Sequence, residues 1–176
     1  MSENRLDPTV PGLFMVAFIT LVFGVLGLVA GAENIVEAGK MQTAAIAFAS
    51  IIGLIFVVLT VSAIRFGNAF AASLFVFVAV SLFAATIGVP SFNWILIILV
   101  AVFYIVFAII ALLIGAPKLL MILLFLVALL YLFVGLCLNA DDGKMFAYLF
   151  GVFGILSALV ALYMGFALST QKLPVF

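Results

Sequence analysis

The strongest constraint on this chain is a series of six long apolar runs, none of which contains Asp, Glu, Lys or Arg. Each has the roughly 20 residues that an α-helix needs to cross a bilayer. Their apolar character is continuous, unlike the alternating segments of about ten residues that form membrane barrels. The pattern predicts an all-α membrane protein, a six-transmembrane-helix bundle forming a single domain over residues 1–176. The predicted spans are residues 11–32, 43–64, 69–88, 94–115, 119–138 and 145–168.

Composition excludes several classes of function. Of the 176 residues, 70% are hydrophobic and 7% charged, whereas a soluble domain has about 25% charged residues. The net charge is zero, which removes the electrostatic basis for nucleic-acid binding. Histidine is absent and the single cysteine, Cys137, lies in an apolar run. We therefore expect no enzyme activity, no bound metal and no cofactor.

The basic residues predict the orientation of the chain. With a cytoplasmic amino terminus, four of the six face the inside, as the positive-inside rule requires. The four are Arg5, Arg65, Lys118 and Lys172, and the two on the outside are Lys40 and Lys144. We expect a multi-pass protein of the cell membrane with both termini in the cytoplasm.

Hydroxyl groups and glycines are the informative residues inside the spans. Most hydroxyls are expected to bond their own helix backbone, although such groups also hydrogen-bond small solutes. They belong to Thr20, Ser50, Thr60, Ser62, Ser73, Ser81, Thr86, Ser157, Tyr104, Tyr131, Tyr148 and Tyr163. Glycines permit close helix contacts, either within one protomer or between protomers. They are Gly24, Gly27 and Gly31 in the first run and Gly151 and Gly154 in the sixth.

Short motifs along the chain resemble the acetate uptake transporter family of acetate–succinate transporters. The segment Asp7-Pro8-Thr9-Val10-Pro11-Gly12-Leu13 is similar to the family's Asn-Pro-Ala-Pro-Leu-Gly-Leu, with Pro8, Gly12 and Leu13 identical and Asp7 in place of Asn. Gly67-Asn68-Ala69-Phe70 resembles its Gly-Asn-Thr-Phe. The basic turn at Lys118 and the ending, Ala161-Leu162-Tyr163 followed by Leu173-Pro174, are also similar.

The resemblance implies a six-helix protomer with its own pore, assembled as a homo-hexamer in the lipid bilayer, that passes acetate or a similar small monocarboxylate. It places a hydrophobic constriction at Val16, Val78 and Val127, where the family has aromatic residues at the first two positions. Helical spacing adds Thr20, Phe75 and Tyr131, each one turn from one of these valines.

An anion in such a pore needs donors, and we expect these from hydroxyls and from backbone N–H groups at helix N-termini. The segment Pro8–Gly12 would open the first helix, and Asn68 is the expected N-cap of the third. No Asp, Glu, Lys, Arg or His lies in a span, which predicts passive or weakly coupled flux, or passage of the protonated acid. Two alternatives stay open, namely a channel for a neutral solute such as urea, an amide or ammonia, and a structural membrane subunit without transport activity.

Overall fold

The computed structural model describes residues 7–32, 35–87, 93–140, 142–170 and 174. Side chains are described for all of these residues except 32, 35–46, 84–87 and 93. Within these ranges the chain forms six α-helices. They are α1 (Thr9–Ala32), α2 (Ile35–Phe66), α3 (Ala69–Ile87), α4 (Asn93–Leu113), α5 (Lys118–Asn139) and α6 (Lys144–Thr170). Arg5, Lys40 and Lys172, which contribute to the predicted orientation, lie outside the described side chains, as does Thr86.

Five of the helices are long and apolar enough to cross a membrane. The qualifying stretches are Thr9–Gly31, Ala47–Phe66, Trp94–Leu113, Lys118–Asn139 and Lys144–Thr170. In α3 the apolar stretch with described side chains is shorter, Ala69–Phe83, within a helix of 19 residues. The chain is therefore a multi-pass helical membrane protein.

The six helices pack as a closed ring in chain order. Each contacts the helix before it and the helix after it, and α1 closes the ring through its contact with α6, which is the most extensive of all. Short connections make neighbouring helices antiparallel, so α1, α3 and α5 begin at the same end of the bundle. We call this end the mouth end, because the cavity described below reaches the surface there.

Glycines allow α1 and α6 to approach at backbone distance. A Cβ on Gly27 would lie 2.6 Å from the backbone nitrogen of Gly151, and a Cβ on Gly154 would lie 2.6 Å from Cα of Gly24. Real Cβ atoms essentially never come closer than 3.0 Å to such atoms. Of the two uses that the sequence leaves open for these glycines, the structure shows packing within one protomer.

Two tight turns shape the mouth end. Gly67 (φ 80°) and Gly115 (φ 69°) adopt the left-handed conformation that ends α2 and α4. Beyond each glycine the chain folds back at once: the N–H of Asn68 donates to the carbonyl of Ala63 at 3.0 Å, and that of Ala116 to the carbonyl of Ala111 at 2.9 Å. These turns bring the first residues of α3 and α5 to the same end as the start of α1.

The backbone of α2 differs from the sequence expectation. The segment 33–42 is predicted as a polar connector, yet α2 begins at Ile35. Its polar residues, including Glu37, Lys40 and Gln42, have good helix propensity, so the helix extends beyond its apolar part. The hydropathy pattern places the start of the second apolar span at residue 43, whereas the helix that contains it begins about two turns earlier, at Ile35.

Candidate functional site

A cavity of about 360 Å³ lies among the odd-numbered helices. On each helix the lining residues recur every three or four positions, which places them on one face. These faces are Thr9, Gly12, Leu13, Val16, Ile19, Thr20 and Phe23 on α1; Ala71, Leu74, Phe75, Val78 and Leu82 on α3; and Leu120, Leu123, Leu124, Val127, Leu130 and Tyr131 on α5. Tyr104 of α4 and Met164 and Leu168 of α6 also line the cavity, as do Phe70 at the start of α3 and Ile114 and Ala116 after the end of α4.

The cavity is deep and opens at the mouth end. Its outer lining includes Asp7 and Pro117, both exposed. On α1 the lining runs from Thr9 to Phe23, which at 1.5 Å per residue corresponds to roughly 21 Å. A hydrocarbon core is about 30 Å thick, so the cavity reaches past the middle of the bundle. Side chains of residues 84–93, from the last turn of α3 to the first residue of α4, lie outside the described part.

The structure brings together ten of the eleven residues that the sequence singles out. Around the cavity lie the six proposed constriction residues and four residues from the motifs, and the second group is nearer the mouth end. The first group is Val16, Thr20, Phe75, Val78, Val127 and Tyr131, and the second is Asp7, Gly12, Leu13 and Asn68. Pro8 is not among the lining residues; it is buried immediately before α1, and its carbonyl accepts from the N–H of Gly12 at 3.1 Å.

Three valines lie at a similar depth in the cavity. Val16 is seven residues from the start of α1, and Val78 and Val127 are each nine residues from the start of their helices. At 1.5 Å per residue, this is about 10–14 Å from the mouth end. We call these three residues the valine layer. One turn deeper lie Thr20 and Tyr131.

Side chains already occupy N–H groups at the mouth that were expected to serve as donors for an anion. Oδ1 of Asp7 accepts from the N–H of Thr9 at 2.9 Å, and Oδ1 of Asn68 accepts from the N–H of Ala71 at 3.0 Å. Asn68 is thus the N-cap of α3. The sequence expectation is wrong for these two groups, because the capping side chains satisfy them. Asp7 also places a carboxylate at the positive end of α1, which disfavours a second anion there.

Hydroxyl protons in the spans are mostly directed to backbone carbonyls. Oγ1 of Thr20 donates to the carbonyl of Val16 at 2.7 Å, and Oγ of Ser81 donates to that of Val78 at 2.8 Å. The expectation of backbone bonding is confirmed for these and for Thr60, Ser62, Ser73 and Ser157. Thr20 lines the cavity, and because its single proton is used by this bond, its oxygen can serve a neighbouring group only as a hydrogen-bond acceptor.

At the mouth, one hydroxyl has no partner. Oγ1 of Thr9 is buried without a hydrogen bond within the described part of the chain, and Thr9 lines the cavity. The backbone N–H of Thr9 donates to the carboxylate of Asp7, which is the only charged side chain among the described lining residues. No group of three His, Cys, Asp or Glu side chains assembles within the described ranges to hold a metal ion.

Three buried hydroxyls from α3, α4 and α5 meet near the inner end of the cavity. The rings of Tyr104 and Tyr131 stack with centroids 5.4 Å apart and planes inclined by 18°. Oη of Tyr131 lies 3.3 Å from Oγ of Ser81, and the hydroxyl of Tyr104 interacts with both. We call these three residues the hydroxyl cluster. The sequence analysis did not assign Tyr104 to the site, because nothing in one sequence shows which face of α4 meets α5.

No protein-family model, curated protein or solved structure matches this chain. The resemblance to acetate uptake transporters therefore depends on the motif residues quoted above. The fold and the cavity define the class, which is a multi-pass helical membrane protein with an internal, nearly uncharged cavity open at one end.

Proposed function

We propose that the protein is a membrane channel or transporter for a short monocarboxylic acid such as acetic acid, which passes in its un-ionised form. The observation that carries the proposal is the wall of the cavity. The wall is apolar over the valine layer, and the oxygen of Thr20 can only accept a hydrogen bond. The only charged group among the described lining residues is the carboxylate of Asp7 at the mouth.

The cavity wall should favour the un-ionised acid over its carboxylate, because the two forms differ in charge. A carboxylate that enters such a cavity loses its hydration and finds few donors, which is costly in a medium of low dielectric constant. An un-ionised carboxyl group carries its own O–H donor and one strong acceptor, while its methyl group suits the valine layer. The neutral acid is therefore the form that this lining accommodates.

The rest of the proposal follows the resemblance. The cavity would continue as a pore through each protomer, with the mouth end in the cytoplasm. The exposed apolar faces of the helices would contact lipid and neighbouring protomers of a homo-hexamer. The valine layer would be the hydrophobic constriction, wider than an aromatic one at Val16 and Val78.

A neutral amide such as urea is a second candidate, because the uncharged lining also suits it. Amides carry both donors and acceptors, so they match the acceptor of Thr20 and the phenols of the hydroxyl cluster. Competition between the two solutes distinguishes the candidates.

The test is uptake of labelled acetate into liposomes that contain the purified protein. Un-ionised acids also cross lipid unaided, so uptake by protein-free liposomes is subtracted at each pH. We expect saturable uptake that falls about tenfold per pH unit above the pKa of the acid, with competition by formate and weaker competition by succinate. Urea transport that acetate does not affect would support the second candidate. Absence of protein-dependent flux of either solute would support a structural subunit.

A further inference from the structure

We infer that Ser81, Tyr104 and Tyr131 form the subsite that binds the carboxyl group of the permeating acid. The inference depends on the proposed function, since it assigns a recognition role within the same cavity. It adds the residues that hold the polar end of the substrate, including two that neither the family motifs nor the helical spacing indicated.

Burial of the three groups makes this cluster unusual within the bundle. Ser81 is 1% exposed, Tyr104 3% and Tyr131 8%, and each comes from a different helix. Both phenols line the cavity. Buried polar groups are costly unless they are hydrogen-bonded, so three of them in one place in an apolar bundle require a compensating interaction.

The hydrogen bonds within the cluster leave capacity for a ligand. Ser81 has a single proton and donates it to the carbonyl of Val78 at 2.8 Å, so its contact with Tyr131 has the phenol as donor. That contact is 3.3 Å long, whereas O–H···O hydrogen bonds are usually 2.5–3.0 Å. The proton of Tyr131 is therefore held loosely and is free to turn toward a solute in the cavity.

The resulting pattern matches an un-ionised carboxyl group. Its carbonyl oxygen accepts from the phenol of Tyr131, and its O–H donates to the oxygen of Thr20, whose own proton is directed to the backbone. A carboxylate has no proton to donate, so it satisfies only the first half of this pattern. A primary amide satisfies both halves, and an ester satisfies only the first.

The valine layer fixes which end of the acid points inward. Val78 precedes Ser81 by three residues and Val127 precedes Tyr131 by four, so each lies one turn nearer the mouth on the same helix. A short acid with its carboxyl group on the hydroxyl cluster thus places its methyl group against the valine layer. The arrangement favours acids of two or three carbons and disfavours a second carboxyl group at the apolar end.

The experiment measures uptake of labelled acetate into liposomes by the Tyr104→Phe, Tyr131→Phe and Ser81→Ala variants and by the Tyr104→Phe/Tyr131→Phe double variant. The matched control is Tyr148→Phe, the same change at an exposed position of α6. A single peak in size-exclusion chromatography and an unchanged Tm verify that each variant is folded. We expect the half-saturation concentration to rise about tenfold for each single phenol variant, which is the usual effect of losing one buried hydrogen bond, and to stay unchanged for the control.

Competitors provide a second readout. Acetamide should inhibit acetate uptake by the unmodified protein, methyl acetate should not, and the double variant should lose inhibition by acetamide. If the unmodified protein shows saturable uptake but the folded phenol variants keep its half-saturation concentration, the subsite is wrong and the proposed function stands. If the unmodified protein shows no protein-dependent acetate uptake, the proposed function itself fails.

Discussion

Phe75 of α3 lies directly against Gly12 of α1, and a Cβ on Gly12 would overlap the end of the phenylalanine ring. Both residues line the cavity on its mouth side, and the ring also packs on Phe56 with centroids 5.7 Å apart. The absence of a side chain at Gly12 thus provides the space that this ring occupies. Because only a flexible side chain stands in the way, a substitution at Gly12 displaces the ring rather than the helix.

Replacing Gly12 with alanine should reduce transport. The new methyl group and the displaced ring of Phe75 both take up cavity space, so we expect acetate uptake to fall several-fold with little change in Tm. The Gly12→Ala/Phe75→Leu double variant should recover uptake, because leucine is shorter than phenylalanine. Gly53→Ala is the control, since Gly53 also faces a phenylalanine ring, that of Phe83, away from the cavity. Equal losses in both alanine variants would contradict a role for Gly12 in the passage.

The valine layer should be sensitive to side-chain size. Val78→Phe fills the cavity at its middle, and we expect at least a tenfold loss of acetate uptake. Val80→Phe is the matched control, because Val80 lies two residues away on the exposed face of α3. Uptake is measured at equal protein content in the liposomes. Normal uptake by a folded Val78→Phe variant would show that solutes do not pass this layer.

The α1–α6 contact should govern stability rather than selectivity. A Cβ at Gly27 meets the backbone of Gly151 at 2.6 Å, so the two helices must separate. Overpacking of this kind costs typically 1–3 kcal/mol, and we expect Gly27→Ala to lower the free energy of unfolding by about 2 kcal/mol. Thermal denaturation in detergent measures the change. In Gly165→Ala the added Cβ meets the Phe14 ring at 3.2 Å, which a small shift accommodates, so this variant should lose less.

Helix periodicity explains why much of the cavity wall was predictable. Val16 and Thr20, or Val127 and Tyr131, lie four residues apart, and such pairs must share a helix face whatever the tertiary packing. The uncharged runs similarly predicted the helices to within a few residues, apart from the start of α2. Both predictions depend only on local geometry and on the length that a bilayer requires.

Relations between helices were not predictable from one sequence. Tyr104 belongs to the hydroxyl cluster only because α4 packs on α5 with this face inward. The contact between Gly12 and Phe75 similarly joins helices that are distant in the chain. Apolar runs in a membrane protein are hydrophobic on all sides, so amphipathic periodicity does not reveal which face is buried.

Thr20 allows the role of an acceptor in the cavity to be separated from stability. Its hydroxyl donates to the carbonyl of Val16, as that of Thr60 donates to the carbonyl of Phe56, but only Thr20 lines the cavity. Valine has the shape of threonine without the hydroxyl. We expect Thr20→Val and Thr60→Val to have similar Tm values, and only Thr20→Val to raise the half-saturation concentration for acetate several-fold. Similar uptake by the two variants would contradict a contact between Thr20 and the solute.

The charge of Asp7 tests which form of the acid passes the mouth. Asparagine caps a helix as well as aspartate does, so Asp7→Asn should keep the bond to the N–H of Thr9 and leave Tm unchanged. The substitution removes the only charged group among the described lining residues. A neutral solute does not respond to that charge, so we expect uptake within twofold of the unmodified protein at every ionic strength.

An anionic solute would behave differently at the same position. Two unit charges 4 Å apart interact by about 1 kcal/mol in water and by more near a protein surface, so removing the carboxylate would increase anion uptake several-fold. The increase would be largest at low salt, where screening is weakest. Asp7→Ala serves as the control for the cap, with an expected loss of about 1 kcal/mol in the free energy of unfolding. A salt-dependent gain in Asp7→Asn would show that the carboxylate is the transported form and would contradict passage of the neutral acid.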